Sequence, residues 1–145
     1  MKPLREGMSA ELDVIVSPEM TVRFDELGPG HPVYATYWLA KHMEEASRKL
    51  LLPRLEDGEE GIGHLVETRH LSSALVGMRV TVSSTYDPEG SDGRRVAARC
   101  VARSELGDVI GEGRTEQFVL PRQAIEDRFA ALEARWRAPH KLRRA

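Results

Sequence analysis

Three residues stand out because their side chains interrupt apolar, core-forming runs: Thr36, Glu44 eight positions later, and His70 on a later strand-like segment. Polar and titratable groups on such a pattern lose hydration, which a fold tolerates mainly where they pair or do chemistry. A hydroxyl, a carboxylate and an imidazole are the parts an acyl-transfer site needs: a nucleophile or general base, a proton shuttle and an orienting hydrogen bond. Each has a plainer reading when taken alone. Thr36 suits a helix cap, Glu44 a solvated helical charge and His70 a satisfied structural histidine.

The elements that must position them follow from periodicity. Leu12, Val14 and Val16 alternate with polar neighbours and give a first strand. Asp25 to Pro32 is rich in turn residues, and Pro32 suits the first turn of a helix. From Val33 to Leu52, Val33, Tyr37, Ala40, Met43 and Leu50 recur at helical spacing; Pro53 and Asp57-Gly58 end the run. Candidate strands then cover Ile62–Leu71, Met78–Tyr86, Arg94–Glu105 and Val109–Leu120, with a turn over Asp87–Gly93 and a tight hairpin at Gly107-Asp108. In the third of these, Val96, Ala98, Cys100 and Ala102 share one face and Arg95, Arg99 and Arg103 the other. Pro121 opens a last amphipathic helix carrying Ile125, Phe129, Leu132 and Trp136 on one side.

This order, one strand, a long helix and four strands, predicts a single α+β domain over residues 1–145. A lone helix with an apolar stripe must lie against a sheet, and a five-stranded antiparallel sheet wrapped around it does this. That is the hot-dog architecture, here with a C-terminal helix added. Its free sheet edge makes a homodimer the expected assembly. Along such a helix Thr36 and Glu44 are about 12 Å apart. Either Thr36 folds inward ahead of the helix, or two subunits share one site.

The formal net charge of −2 gives no sign of nucleic acid or an anionic membrane as partner. The local exception, Arg135, Arg137, Lys141, Arg143 and Arg144, reads as a solvated basic tail over about 138–145. One cysteine, Cys100, excludes an internal disulfide and a cysteine-based zinc site. His31, His42 and His64 lack a second ligand at metal spacing, so no metal is expected. No apolar run reaches membrane-span length and no signal-peptide core precedes Ala10, which places the chain in the cytoplasm.

The runs YATYWLAKHMEEA (Tyr34–Ala46) and GHLVETRHLSSALVGMRVTV (Gly63–Val82), and more weakly GEGRTEQFVL (Gly111–Leu120), resemble the fluoroacetyl-CoA thioesterase group of hot-dog proteins. The resemblance implies an acyl-CoA thioesterase with Thr36, Glu44 and His70 as catalytic residues and Gly63 as a backbone donor. It implies no cofactor, coenzyme A being part of the substrate. Tyr34 and Tyr37 are candidate walls of an apolar acyl pocket. The chain departs from the family in two places. Between Phe24 and Thr36 it has no phenylalanine to form a lid, and it carries Gln117 where the family's type member has an arginine. A second reading is a non-catalytic hot-dog protein that binds an acyl thioester or serves in an assembly; an enoyl-thioester hydratase lacks its aspartate–histidine pairing.

Overall fold

The computed structural model describes residues 1–139. Its strands are β1 (Ser9–Ile15), β2 (Thr21–Phe24), β3 (Gly28–Tyr34), β4 (Glu59–His70), β5 (Arg79–Asp92), β6 (Arg95–Ser104) and β7 (Val109–Pro121). Helix α1 spans Thr36–Leu51 and helix α2 Arg122–Arg137. Five strands form one antiparallel sheet in the order β1-β5-β6-β7-β4, and β2 and β3 form a separate hairpin. This is the hot-dog architecture: a curled sheet around α1, with α2 appended.

The sheet faces α1 through the alternation read from β6. Val96, Ala98, Cys100 and Ala102 are all buried, while Arg99 and Arg103 face solvent. From the helix, Leu39, Met43 and Ala46 meet Val80, Val82, Cys100 and Ile110 in one cluster. Each large apolar side chain buried there contributes roughly 1.5–3 kcal/mol. Two glycines on β7 let the helix approach. A Cβ on Gly111 would stand 2.6 Å from Leu39 Cδ2, and one on Gly113 would collide with the Glu67 carbonyl and stand 2.6 Å from Met43 Sδ.

A polar cluster lies within this apolar layer. Ser47 Oγ is 2.8 Å from Ser84 Oγ and accepts from Thr115 Oγ1 at 2.7 Å, and Gln117 Nε2 donates to the Ser47 carbonyl at 3.1 Å. Burying these groups costs little because each has a partner. Burial pushes the neighbouring Cys100 thiol up, so the cysteine is a core residue as its strand pattern predicts.

Four expectations need correction. Pro32 lies within β3 rather than in the first turn of a helix, and α1 begins at Thr36. Much of the stretch 25–32 is extended, because hairpin pairing satisfies its backbone despite its turn-rich composition. Most of Asp87–Gly93 is extended too, since β5 runs to Asp92 before turning at Gly93. On α2 only Ile125 is buried; Phe129, Leu132 and Trp136 are exposed. Lys141, Arg143 and Arg144 of the basic tail lie outside the described residues. Among the described residues no helix is long and apolar enough to cross a membrane.

Candidate active site

The site is built where the start of α1 meets the end of β4. Tyr34 closes β3, and its backbone N–H donates to Ala74 O at 2.9 Å, which brings the 71–77 loop against the helix entry. Ala35, in extended conformation, is the N-cap, so Thr36 is the first residue of α1. There its hydroxyl lies 2.8 Å from His70 Nδ1. This contact joins residues 34 positions apart in sequence. The other ring nitrogen, His70 Nε2, is buried without a hydrogen-bond partner among the described residues. Burial holds the His70 imidazole below its ordinary pKa, and the Ser72 backbone offsets part of that shift. The ring is therefore a neutral base at physiological pH.

Glu44 is placed differently. It is exposed on α1, and its carboxylate lies beside Gly63, with Oε1 3.9 Å from where a Gly63 Cβ would stand. No hydrogen bond or ion pair joins it to Thr36 or His70 within the chain. Gly63 and His70 are both on β4, seven residues apart, which at roughly 3.3 Å per residue is about 20 Å. One chain therefore brings Thr36 and His70 together and leaves Glu44 beside Gly63, nearer the middle of the strand. The strand is irregular there: its pairing with β7 shifts between Gly63 and Leu65, leaving His64 as an extra residue. Such a bulge re-aims the adjoining backbone.

The two tyrosines carry structural loads. Tyr34 is fully buried, and its hydroxyl lies 2.5 Å from His42 Nδ1. Its ring meets His70 edge-on, at 6.4 Å between centroids. Burial raises the Tyr34 phenol and lowers His42, which keeps both partners of this hydrogen bond neutral. Tyr37 fastens the β2–β3 hairpin to the helix. Its hydroxyl accepts from the Arg23 N–H at 2.8 Å and donates to Arg23 O at 2.7 Å, while its ring packs on Phe24. The hairpin thus covers the helix entry, with Leu27 at its tip almost fully exposed.

Sequence reasoning missed the Tyr34–His42 pair and the Ser47 cluster. The available signal was helical phase: His42 and Ser47 flank Met43 and Ala46 on the buried side of α1. Gln117 turns inward to Ser47 rather than toward the Thr36–His70 end. Among the described residues no group of three or more His, Cys, Asp or Glu side chains could hold a metal ion.

The profile of the fluoroacetyl-CoA-specific thioesterase family, FlK, matches residues 16–123. The chain belongs to this family. The fluoroacetyl-CoA thioesterase of Streptantibioticus cattleyicolor is 32% identical over 124 residues, covering 81% of this chain and 86% of that protein. A Thermus thermophilus hypothetical protein, a thioesterase superfamily member, is 57% identical with a TM-score of 0.93, over 96% of this chain and all of that one. A variant of the family's fluoroacetyl-CoA thioesterase solved with acetyl-CoA is 27% identical with a TM-score of 0.77, over 94% of this chain and 100% of that one. Family membership adds a thioesterase precedent to the Thr36–His70 contact.

Proposed function

We propose that the protein is an acyl-CoA thioesterase whose sites are completed by homodimerisation. The observation that carries this is the Thr36–His70 hydrogen bond, beside which the buried His70 Nε2 has no partner among the described residues. A neutral imidazole with one nitrogen held and the other unpaired is suited to orient a carboxylate or take a proton.

The free edge strand supplies the missing group. β4 is the last strand of the sheet, and its outer backbone groups are open to pairing with a second copy. An antiparallel pairing of two β4 strands centred between Val66 and Glu67 sets Gly63 of one subunit opposite His70 of the other. Glu44, carried beside Gly63, then arrives at the Thr36–His70 end of its partner. The partner's Glu44 attacks the thioester carbonyl or deprotonates the attacking water. The bulged Gly63 N–H faces the developing oxyanion. Thr36 fixes the imidazole. Where Glu44 is the base, neutral His70 takes from it the proton removed from the water and passes that proton to the departing thiolate; where Glu44 is the nucleophile, the thiolate leaves as an acyl-glutamyl anhydride forms, and the water that hydrolyses the anhydride gives its proton through His70 to the thiolate. One water is consumed, and a carboxylic acid and free coenzyme A leave; no cofactor takes part, and the chain acts in the cytoplasm.

The exposed face of Phe24 and Tyr37 and the absence of lid phenylalanines favour an acyl group other than fluoroacetyl. Incubation with a panel of acyl-CoAs and a thiol reagent tests the proposal. Thiol release by the wild type and its loss in Glu44→Ala and His70→Ala are expected. Tight binding with no thiol release would assign the chain to a non-catalytic acyl-thioester binder.

A further inference from the structure

Tyr34 is tied to three parts of the fold at once. Its backbone N–H donates to Ala74 O at 2.9 Å, in the loop after β4. Its ring stands edge-on to His70, with 6.4 Å between centroids. Its hydroxyl lies 2.5 Å from His42 Nδ1 on α1, and the two rings are stacked at 5.8 Å with an interplanar angle of 15°. His42 is braced in turn by Trp38, on the preceding turn of α1, at 5.6 Å between rings. Lys41 Nζ covers the Trp38 ring, 4.2 Å from its centroid.

This phenol–imidazole pair is not needed to fill space. Tyr34 is fully buried and His42 is 5% exposed. Phenylalanine and leucine would occupy similar volumes, and replacing both partners of a buried hydrogen bond by apolar groups of the same shape is close to neutral for stability. What the directional bond adds is a fixed orientation of the Tyr34 ring, because a satisfied buried network rigidifies its members. The ring so fixed bears on the histidine of the proposed site. His70 itself is bonded at Nδ1 by Thr36, 2.8 Å away. The chain after it is anchored to β7, where the Leu71 and Ser72 N–H groups both donate to Ile110 O, at 2.8 and 3.2 Å. Neither anchor reaches Nε2, so the tilt that aims this nitrogen is left to Thr36 and the Tyr34 ring.

We propose that Tyr34, locked by its hydrogen bond to His42, is a positioning residue for His70: it sets the tilt of the imidazole and so the aim of Nε2 at the reacting groups. A proton-transfer group has to be held within about 0.5 Å of its working geometry. Thr36 alone, through one nitrogen, leaves rotation about that hydrogen bond free, and the edge-on Tyr34 ring removes this freedom. Being fully buried, Tyr34 does so without touching substrate. This inference rests on the thioesterase reading. It goes beyond that reading by giving the buried Tyr34–His42 pair a part in the rate.

A double-variant cycle tests it. Tyr34→Phe and His42→Leu each break the hydrogen bond and are expected to lower kcat for acyl-CoA several-fold, with KM little changed. The two act on one unit, so the double variant should lower kcat no further than either change alone. Its Tm should nevertheless recover, because no buried nitrogen is left unpaired. A kcat that recovers together with Tm would overturn the inference and leave the pair a purely structural one. His42→Asn is smaller but can still accept from the phenol, and should keep kcat nearer to wild type than His42→Leu does; the reverse order would mean that packing alone acts. NMR titration of the His70 ring gives a readout free of turnover. Loosening the ring brings water to Nε2, so in the double variant the lowered His70 pKa should rise toward its ordinary value of 6.5, and an unchanged titration would overturn the inference. Loss of thiol release in His70→Ala, with a wild-type rate in the double variant, would remove the positioning role and leave the thioesterase reading. A wild type that releases no thiol from any acyl-CoA, with the His70 titration shifted in the double variant, would remove that reading and leave the support of the imidazole.

Discussion

His70 is held through one nitrogen and unpaired at the other, which is buried, and that asymmetry sets what can be measured. Its Nδ1 is committed to Thr36, while Nε2 meets no partner among the described residues. Replacing His70 by alanine is expected to lower kcat about 10²- to 10⁴-fold, the usual worth of a positioned proton-transfer group. Thr36→Ala should cost less, because the imidazole remains and only its orientation is loosened; equal losses would argue that the hydroxyl itself does chemistry. Burial lowers the His70 pKa below its ordinary value of 6.5, so the acid limb of kcat/KM should fall below pH 6.5. A limb above that value in the wild type would contradict His70 as the group that takes up and passes on the proton. Tyr34→Phe removes the hydroxyl hydrogen-bonded to His42, which is 5% exposed, and leaves a buried nitrogen unpaired. That should cost about 1–3 kcal/mol, read as a lower Tm.

Elements are positioned by close contacts rather than by propensity. Gly113→Ala would push a methyl into the Glu67 carbonyl and Met43 Sδ, forcing α1 away from β7. Overpacking of this kind costs typically 1–3 kcal/mol, and thermal unfolding of the purified variant would show it. The hairpin is held differently, by the Tyr37 hydroxyl and the Phe24–Tyr37 contact. Tyr37→Phe keeps the ring contact and loses the hydrogen bonds. Hydrogen exchange at residues 21–34 should rise while the sheet stays protected, because local opening is set by local contacts.

The whole molecule explains why a single chain holds only part of the proposed site. Glu44 lies beside Gly63 and the Thr36–His70 pair at the end of β4, so the proposed site draws its carboxylate from a two-fold partner. Mixing the inactive Glu44→Ala and His70→Ala proteins is a direct test. If each site draws Glu44 from the partner subunit, a mixed dimer holds one intact site, and random reassortment should restore roughly a quarter of wild-type activity. No recovery would place all three groups in one chain. Stability also depends on pH at this scale. His42 and His70 both have pKa values lowered by burial, so the unfolded chain takes up protons that the folded one resists. Their contribution is complete above pH 6.5 and drains as pH falls toward the lowered folded values. Denaturant midpoints at pH 7.5 and 5.5 should differ in that direction.

The sequence by itself determined the architecture, because period-two alternation in β6 reports burial directly. The helical stripe was right at Met43 and Leu50 but not at Val33, which lies in β3, nor at Tyr37, which is exposed; the buried face runs through Leu39, Met43, Ala46 and Leu50. It also singled out Thr36 and His70, which the fold brings within hydrogen-bond distance. It missed the β2–β3 hairpin and misplaced Pro32, since pairing with a neighbouring strand overrides turn composition. It also suggested that Thr36, Glu44 and His70 are all desolvated, whereas within the chain Thr36 and Glu44 are exposed and only the His70 ring is partly buried. Tertiary structure alone decided which polar groups meet. Thr36 reaches His70 because the helix entry and the strand end converge in space, and Glu44 is carried away from them by the pitch of a helix running beside an extended strand.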